Sequence, residues 1–301
     1  MADGPTAPPG FLSPAVIKLA RERDIDLRTV QGTGAGGRIT ARDVERATSA
    51  VAGGEAAANG TQPAESAPVD SDRRVQLSSI RVRTGHNLRR SVDTAVHALV
   101  VTEVDYLAVE RAREVAAAAG ESLTYLPFVA RAVIDAIRQY PEVNSVLDGD
   151  SLLVRGPINL GIAVDLDHTG LVVPVVPRAD LLRLRGIADR VRDLAERGRA
   201  RALRPDDFAD GTFTITNVGR YGTLITGPII NQPQVAILST DGVKPRPVAL
   251  PDGHGGYSIS VHPMGNLSLS FDHRAFDGAY ASAFLATVRD TLETRDWVEE
   301  L

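Results

Sequence analysis

The run Asp272-His273-Arg274-Ala275-Phe276-Asp277-Gly278 sets a histidine four residues ahead of a carboxylate that a glycine follows. An imidazole has an ordinary pKa of about 6.5, so near neutral pH it is mostly uncharged and able to take a proton. The run follows Asn266-Leu267-Ser268-Leu269-Ser270-Phe271, in which polar and apolar residues alternate. Period-two alternation predicts a half-buried strand with Leu267, Leu269 and Phe271 on the covered face. His273 is therefore expected where a strand runs out, held by the scaffold yet able to reach a cleft. On spacing alone the same residues also read as a capped turn, with Asp277 capping the next helix and His273 a surface side chain.

The elements that must position such a histidine follow from the pattern upstream. Leu126, Val129, Ala130, Val133, Ile134 and Ile137 recur at helical spacing until Pro141 stops them. Residues 158–164 and 171–176 read as buried strands around a turn at Asp167-His168-Thr169-Gly170. Leu181 to Leu203 is a charged amphipathic helix, apolar at Leu184, Ile187, Val191 and Leu194. The strand Thr212–Thr216 sets Phe213 and Ile215 on one face and three threonines on the other. A last helix carries Phe284, Leu285, Val288 and Leu292. Helices and strands in this order fit a two-layer α/β sandwich.

Composition narrows the options. The 301 residues suggest about two domains. A formal net charge of -5 gives no electrostatic reason to expect nucleic acid or an anionic membrane as partner. No apolar run approaches the roughly 20 residues of a membrane span. The N-terminus lacks the basic and apolar regions of a signal peptide, so a cytoplasmic protein is expected. Without cysteine there is no disulfide framework, thiolate nucleophile or cysteine metal site.

Four segments are expected: a disordered tail over residues 1–10, a small helical unit over 11–47, a flexible linker over 48–72 and an α/β body over 73–301. The linker residues cannot bury enough apolar surface to offset ordering entropy. In the small unit Ser13 caps a helix that opens on Pro14, and Thr40 caps a second. Between them, Gly32-Thr33-Gly34-Ala35-Gly36-Gly37 matches GxGxxG literally. No strand precedes it and the segment is too short for a βαβ unit, which excludes a dinucleotide site. His86, His97, His168, His254 and His262 form no metal-ligand spacing, so no metal is expected.

The DHRxxDG pattern of residues 272–278 resembles the signature of the dihydrolipoyl acyltransferases, the core subunits of 2-oxo acid dehydrogenase complexes. Residues 159–165 (NLGIAVD), 170–175 (GLVVPV), 211–217 (GTFTITN) and 228–231 (PIIN) resemble motifs of the same catalytic domain, in the same order. Residues 13–47 resemble the family's peripheral subunit-binding domain. The resemblance implies a chloramphenicol acetyltransferase-like sandwich and acyl transfer from a thioester, with acyl-CoA as co-substrate. It implies His273 as general base and Thr216 as the hydroxyl donor to the oxyanion. It also implies that Asp277 holds the site by pairing with an arginine, and that Gly278 allows a close backbone approach or caps the turn. In the family the site lies between subunits of a trimer, which puts His273 and Thr216 on different chains of a homotrimer or a larger trimer-based assembly. Lys18, Arg21, Arg38 and Arg42 would form a basic patch that docks a decarboxylase or a flavin reductase.

Two departures from the family pattern bear on the acceptor. No lipoyl domain or lipoyl attachment site is read ahead of the binding unit, as expected if the chain is truncated, if the lipoyl carrier comes in trans, or if lipoate is not the acceptor. The helix-opening pattern at Arg81–Leu88 contains Gly85, which disfavours an uninterrupted helix. The preferred expectation is therefore transfer from acetyl-CoA to a small-molecule hydroxyl, as in similar lipoyl-free enzymes of tetronate biosynthesis. The alternatives are a core dihydrolipoyl acyltransferase subunit and a non-catalytic scaffold.

Overall fold

The computed structural model describes residues 13–22, 25–27, 30–34, 38–47 and 72–301. The expected tail, and residues 48–71 of the expected linker, lie outside the described residues. The chain divides into two compact units, Met1–Val75 and Gln76–Leu301.

The small unit contains α1 (Pro14–Glu22) and α2 (residues 41–47). Val16, Ala20 and Val44 are buried against Leu19, Ile25, Leu27 and Ile39. The Ser13 hydroxyl accepts from the Val16 amide at 3.3 Å, as a helix cap should. Thr40 behaves differently from expectation. Its amide (2.9 Å) and hydroxyl (2.8 Å) both donate to Asp43, as do the amide (3.1 Å) and hydroxyl (2.7 Å) of Thr33. Asp43 is buried, and these donors, the Thr40 amide foremost, hold its carboxyl far below the usual carboxylate range. The glycine loop is thereby tied to α2 through Thr33. Lys18, Arg38 and Arg42 are exposed, while the side chain of Arg21 lies outside the described residues.

In the larger unit α3 (Ser79–Thr94) leads into β1 (His97–Asp105). Then come α4 (Leu107–Ala118), α5 (Tyr125–Gln139) and a hairpin of β2 (Ser145–Asp148) and β3 (Ser151–Val154). The short strands β4 (Leu160–Ile162), β5 (Val164–Asp165), β6 (Leu171–Val172) and β7 (Val175–Val176) follow. α6 (Leu184–Arg199) precedes β8 (Phe213–Asn217) and β9 (Ala236–Thr240). β10 (Lys244–Pro251), β11 (Tyr257–Asp272) and α7 (Gly278–Thr294) complete the unit.

One mixed sheet runs β1-β11-β9-β8-β4-β7, with β10 on the first half of β11. β9, β8 and β4 are parallel to one another, and the other pairings are antiparallel. Phe213, Ile215, Leu238, Leu267, Leu269 and Phe271 are almost fully buried on the face that shares a core with α5 and α7. This is the expected two-layer sandwich. α5 is buried along most of its length, and its one buried charge, Arg131, is satisfied by Asp135 and the Leu182 carbonyl.

Three sequence expectations need correction. The strands read over 158–164 and 171–176 are each broken in two. Pro174 has no N–H to donate, so β4 and β7 stay in the main sheet while β5 and β6 pair separately. Their turn holds Asp167 and His168 at φ 49° and 64°. Helix α3 passes through Gly85 without interruption. A glycine costs about 1 kcal/mol there, which the Ser78 cap (3.3 Å) and the Arg89–Asp93 pair (2.9 Å) help to offset. Finally, the polar face of β11 is not solvated: Ser268 and Ser270 are 0% and 4% exposed. Residues 218–234 lie over it, with Ile230 packed on Ala95 and Ile237.

Candidate active site

His273 stands where β11 ends beside β1, as the alternation predicts. Its amide donates to the Val96 carbonyl at 2.8 Å, and its ring lies 5.4 Å from that of Phe271. The side chain is exposed, and among the described residues neither ring nitrogen has a hydrogen-bond partner. The backbone on either side is clamped by Asp272, which is 2% exposed. Its Oδ1 accepts from the amides of Val96 (3.2 Å) and Arg274 (3.1 Å). Arg274 adds a two-pronged ion pair through Nε (3.0 Å) and Nη2 (2.7 Å). Burial opposes ionisation of Asp272. The guanidinium and the two amides outweigh it and hold the carboxyl below the usual range.

Among the described residues the carboxylate beside His273 that pairs with an arginine is Asp272. Asp277 is the N-cap of α7, its Oδ1 accepting from the Tyr280 amide at 2.9 Å. Gly278 opens that helix, and a Cβ on it would meet nothing within 4 Å. The capped-turn reading therefore describes Asp277 correctly, while His273 is held separately.

Thr216 lies near the C-terminal end of β8, 9% exposed, and among the described residues its hydroxyl makes no hydrogen bond. It pairs across β9 with Ser239, which pairs across β11 with Ser268. His273 is five residues beyond Ser268 on β11. At about 3.3 Å per residue and 4.8 Å per strand, the Cα atoms of His273 and Thr216 stand roughly 19 Å apart within one chain. The protomer holds the two at opposite ends of the sheet.

The sequence reading passed over the residues that seat the motif at 228–231. The Ile230 carbonyl accepts from the Ser91 hydroxyl at 2.6 Å, and its amide donates to His97 Nε2 at 3.1 Å. Nε2 is therefore the unprotonated nitrogen of His97, and Nδ1–H donates to the Ala95 carbonyl at 3.2 Å. No periodic pattern marks these residues, because their partners are more than a hundred positions away.

The family model for 2-oxoacid dehydrogenases acyltransferase (catalytic domain) matches residues 69–298, and that for the e3 binding domain matches residues 10–45. The lipoamide acyltransferase component of the Bacillus subtilis branched-chain alpha-keto acid dehydrogenase complex is 35% identical, over 94% of this chain and 71% of the relative. The succinyltransferase component of the Escherichia coli 2-oxoglutarate dehydrogenase complex is also 35% identical, over 94% and 70%. The structure of Azotobacter vinelandii dihydrolipoamide acetyltransferase superposes with a TM-score of 0.69 at 31% identity, over 78% of this chain and 97% of that one. That work concerns the catalytic roles of a serine, a histidine and an asparagine, the last two spaced four residues apart. These relatives support the core-subunit alternative over transfer to a small alcohol, and a tetronate pathway is not supported. Matched through both of its compact units, the chain belongs to the 2-oxoacid dehydrogenase acyltransferase family and is a CoA-dependent acyltransferase.

Proposed function

We propose that the protein is the core dihydrolipoyl acyltransferase subunit of a 2-oxo acid dehydrogenase complex, exchanging an acyl group between a dihydrolipoyl thiol and CoA. The observation that carries this reading is the pairing of a catalytic unit with an e3 binding unit in one chain. An enzyme acting on a diffusible alcohol has no use for a docking module. The exposed Lys18, Arg38 and Arg42 would supply its cationic face to a decarboxylase or a flavin-dependent reductase.

In this reading His273 takes the proton of the attacking thiol, and the sulfur adds to the thioester carbonyl carbon. The carbonyl oxygen becomes an oxyanion that accepts a hydrogen bond from Thr216. Collapse expels the second sulfur, which recovers the proton from the imidazolium. Because His273 and Thr216 are roughly 19 Å apart in one chain, the complete site needs His273 of one copy beside Thr216 of another. A head-to-tail contact of that kind closes into a ring, and a trimer is the ring we propose.

The exposed apolar surface supports assembly. Tyr257, Ile259 and Val261, all at least 66% exposed, share one face of the β10–β11 hairpin with Pro247, Ala249 and Pro251. Large contiguous apolar patches on a surface mark contact sites.

Incubating the full chain with acetyl-, isobutyryl- and succinyl-CoA, with dihydrolipoamide or small primary alcohols as acceptor, tests the reading. Thioester formation on dihydrolipoamide is expected. Acylation of alcohols without transfer to dihydrolipoamide would contradict it.

A further inference from the structure

Buried polar atoms are nearly always hydrogen-bonded, so unpaired ones that cluster require an explanation. Among the described residues four buried side-chain atoms have no partner: Asn144 Oδ1, Ser239 Oγ, Asp241 Oδ2 and Ser268 Oγ. Three of them lie on one patch of one sheet face. Ser239 and Ser268 are cross-strand partners, both fully buried. Asp241, 5% exposed, is two residues beyond Ser239 and faces the same way. On the other side of Ser239 sits its partner on β8, Thr216, whose hydroxyl is also unpaired.

We propose that Ser268 and Ser239 are positioning residues that form a hydroxyl relay behind Thr216, setting the direction in which the Thr216 proton points. The inference rests on the role proposed above for Thr216 and adds what orients it. Ser239 and Ser268 are opposed on antiparallel strands, where Cβ atoms stand about 4.5–5.5 Å apart, and Thr216 neighbours Ser239 across a parallel pair at the strand spacing of about 4.8 Å, so a χ1 rotation brings adjacent hydroxyls within bonding distance. Each hydroxyl offers one donor and two acceptor sites. Ser268 O–H donates to Ser239 Oγ, and Ser239 O–H donates to Thr216 Oγ1. The Thr216 oxygen is then occupied as an acceptor, and its own proton is left for the oxyanion. Chained hydrogen bonds polarise one another, which strengthens the last donor.

Asp241 supplies the competing arrangement. Its Oδ1 already accepts from the Thr226 hydroxyl at 2.7 Å. Were its Oδ2 to capture the Ser239 proton, Ser239 would turn away from Thr216 and accept from it instead. The sign of the Ser239→Ala effect separates the two directions.

The test is a double-mutant cycle on the full chain, measuring acetyl transfer from acetyl-CoA to dihydrolipoamide. Ser239→Ala should lower kcat between about twofold and tenfold with KM unchanged, the rate equivalent of one hydrogen bond. Ser268→Ala should lower it less. In a Thr216→Ala background neither change should lower kcat further. Thermal stability should change little, because each substitution removes no more than one hydrogen bond of ordinary net worth. An equal loss in the Thr216→Ala background, no loss in either background, or a faster Ser239→Ala enzyme would each overturn the relay. A Thr216→Ala enzyme as fast as wild type would sink the oxyanion role as well. If wild type uses alcohols and not dihydrolipoamide, only the acceptor assignment fails, and the same cycle is read with the alcohol.

Discussion

Replacing Asp272 by alanine removes one carboxylate from four donors: two backbone amides and both prongs of Arg274. Breaking a fully buried ion pair typically costs about 3–5 kcal/mol. The Asp272 side chain is 3% exposed but that of Arg274 is 45% exposed, so the freed guanidinium can turn to water. A loss of about 2–3 kcal/mol is therefore expected, set mainly by the stranded amides and the lost charge-assisted bonds. The catalytic consequence should be larger. His273 is fixed by the hydrogen bond its amide donates to the Val96 carbonyl and by the Asp272 clamp, and a misplacement of about 1 Å can cost a hundredfold in rate. Asp272→Ala should therefore lower kcat about a hundredfold with little change in the KM for acyl-CoA, since the clamp contacts no part of CoA in the proposed scheme. Urea unfolding read alongside acetyl transfer measures both effects. The Asp272 carboxyl is held below its ordinary range in the folded protein. Its stabilisation is thus complete above the unfolded pKa of about 3.9 and fades as pH falls toward the folded value. The stability gap between wild type and Asp272→Ala should narrow below about pH 4. A variant that loses stability yet keeps wild-type kcat would refute the positioning role.

Further outcomes follow from the same structure. Asp43→Ala should unfold the small unit, seen as collapse of its dispersed amide resonances, while the full chain still acylates free dihydrolipoamide at the wild-type rate. In wild type that unit should lose stability as pH drops below about 4, because the depressed Asp43 carboxyl stabilises only while ionised. Gly265→Ala would place a Cβ 2.9 Å from Tyr106 Cε2 and 3.0 Å from Val243 Cγ2; thermal denaturation should show a loss of about 1–3 kcal/mol, typical of overpacking. Thr216→Ala should lower kcat about a hundred- to a thousandfold, the usual worth of one oxyanion donor, and Thr216→Ser should recover most of it.

Much of this fold was legible from local pattern. The alternation at 266–271 gave a strand and its covered face, and the spacing from Leu126 to Ile137 gave α5. Both signals arise within a few residues, as does the capping geometry of Ser13 and Asp277. What pattern could not show is what covers the second face of the sheet. The serines of β11 looked solvent-facing because their cover, residues 218–234, carries no periodicity and is pinned by Ser91 and His97 from far upstream. That an arginine clamps Asp272 was not legible for a similar reason. Asp272 and Arg274 are two residues apart and meet only because the chain turns at the strand end. Gly85 was expected to interrupt α3, but its intrinsic penalty is smaller than the contacts that hold the helix.

The most direct test of a site shared between copies is subunit mixing. His273→Ala and Thr216→Ala chains, each inactive when assembled alone, would be co-expressed in equal amounts and assayed for acetyl transfer to dihydrolipoamide. Random mixing around a closed ring leaves about a quarter of the contacts with an intact histidine facing an intact threonine, so about a quarter of the wild-type rate is predicted. A mixture no more active than either variant by itself would contradict the account.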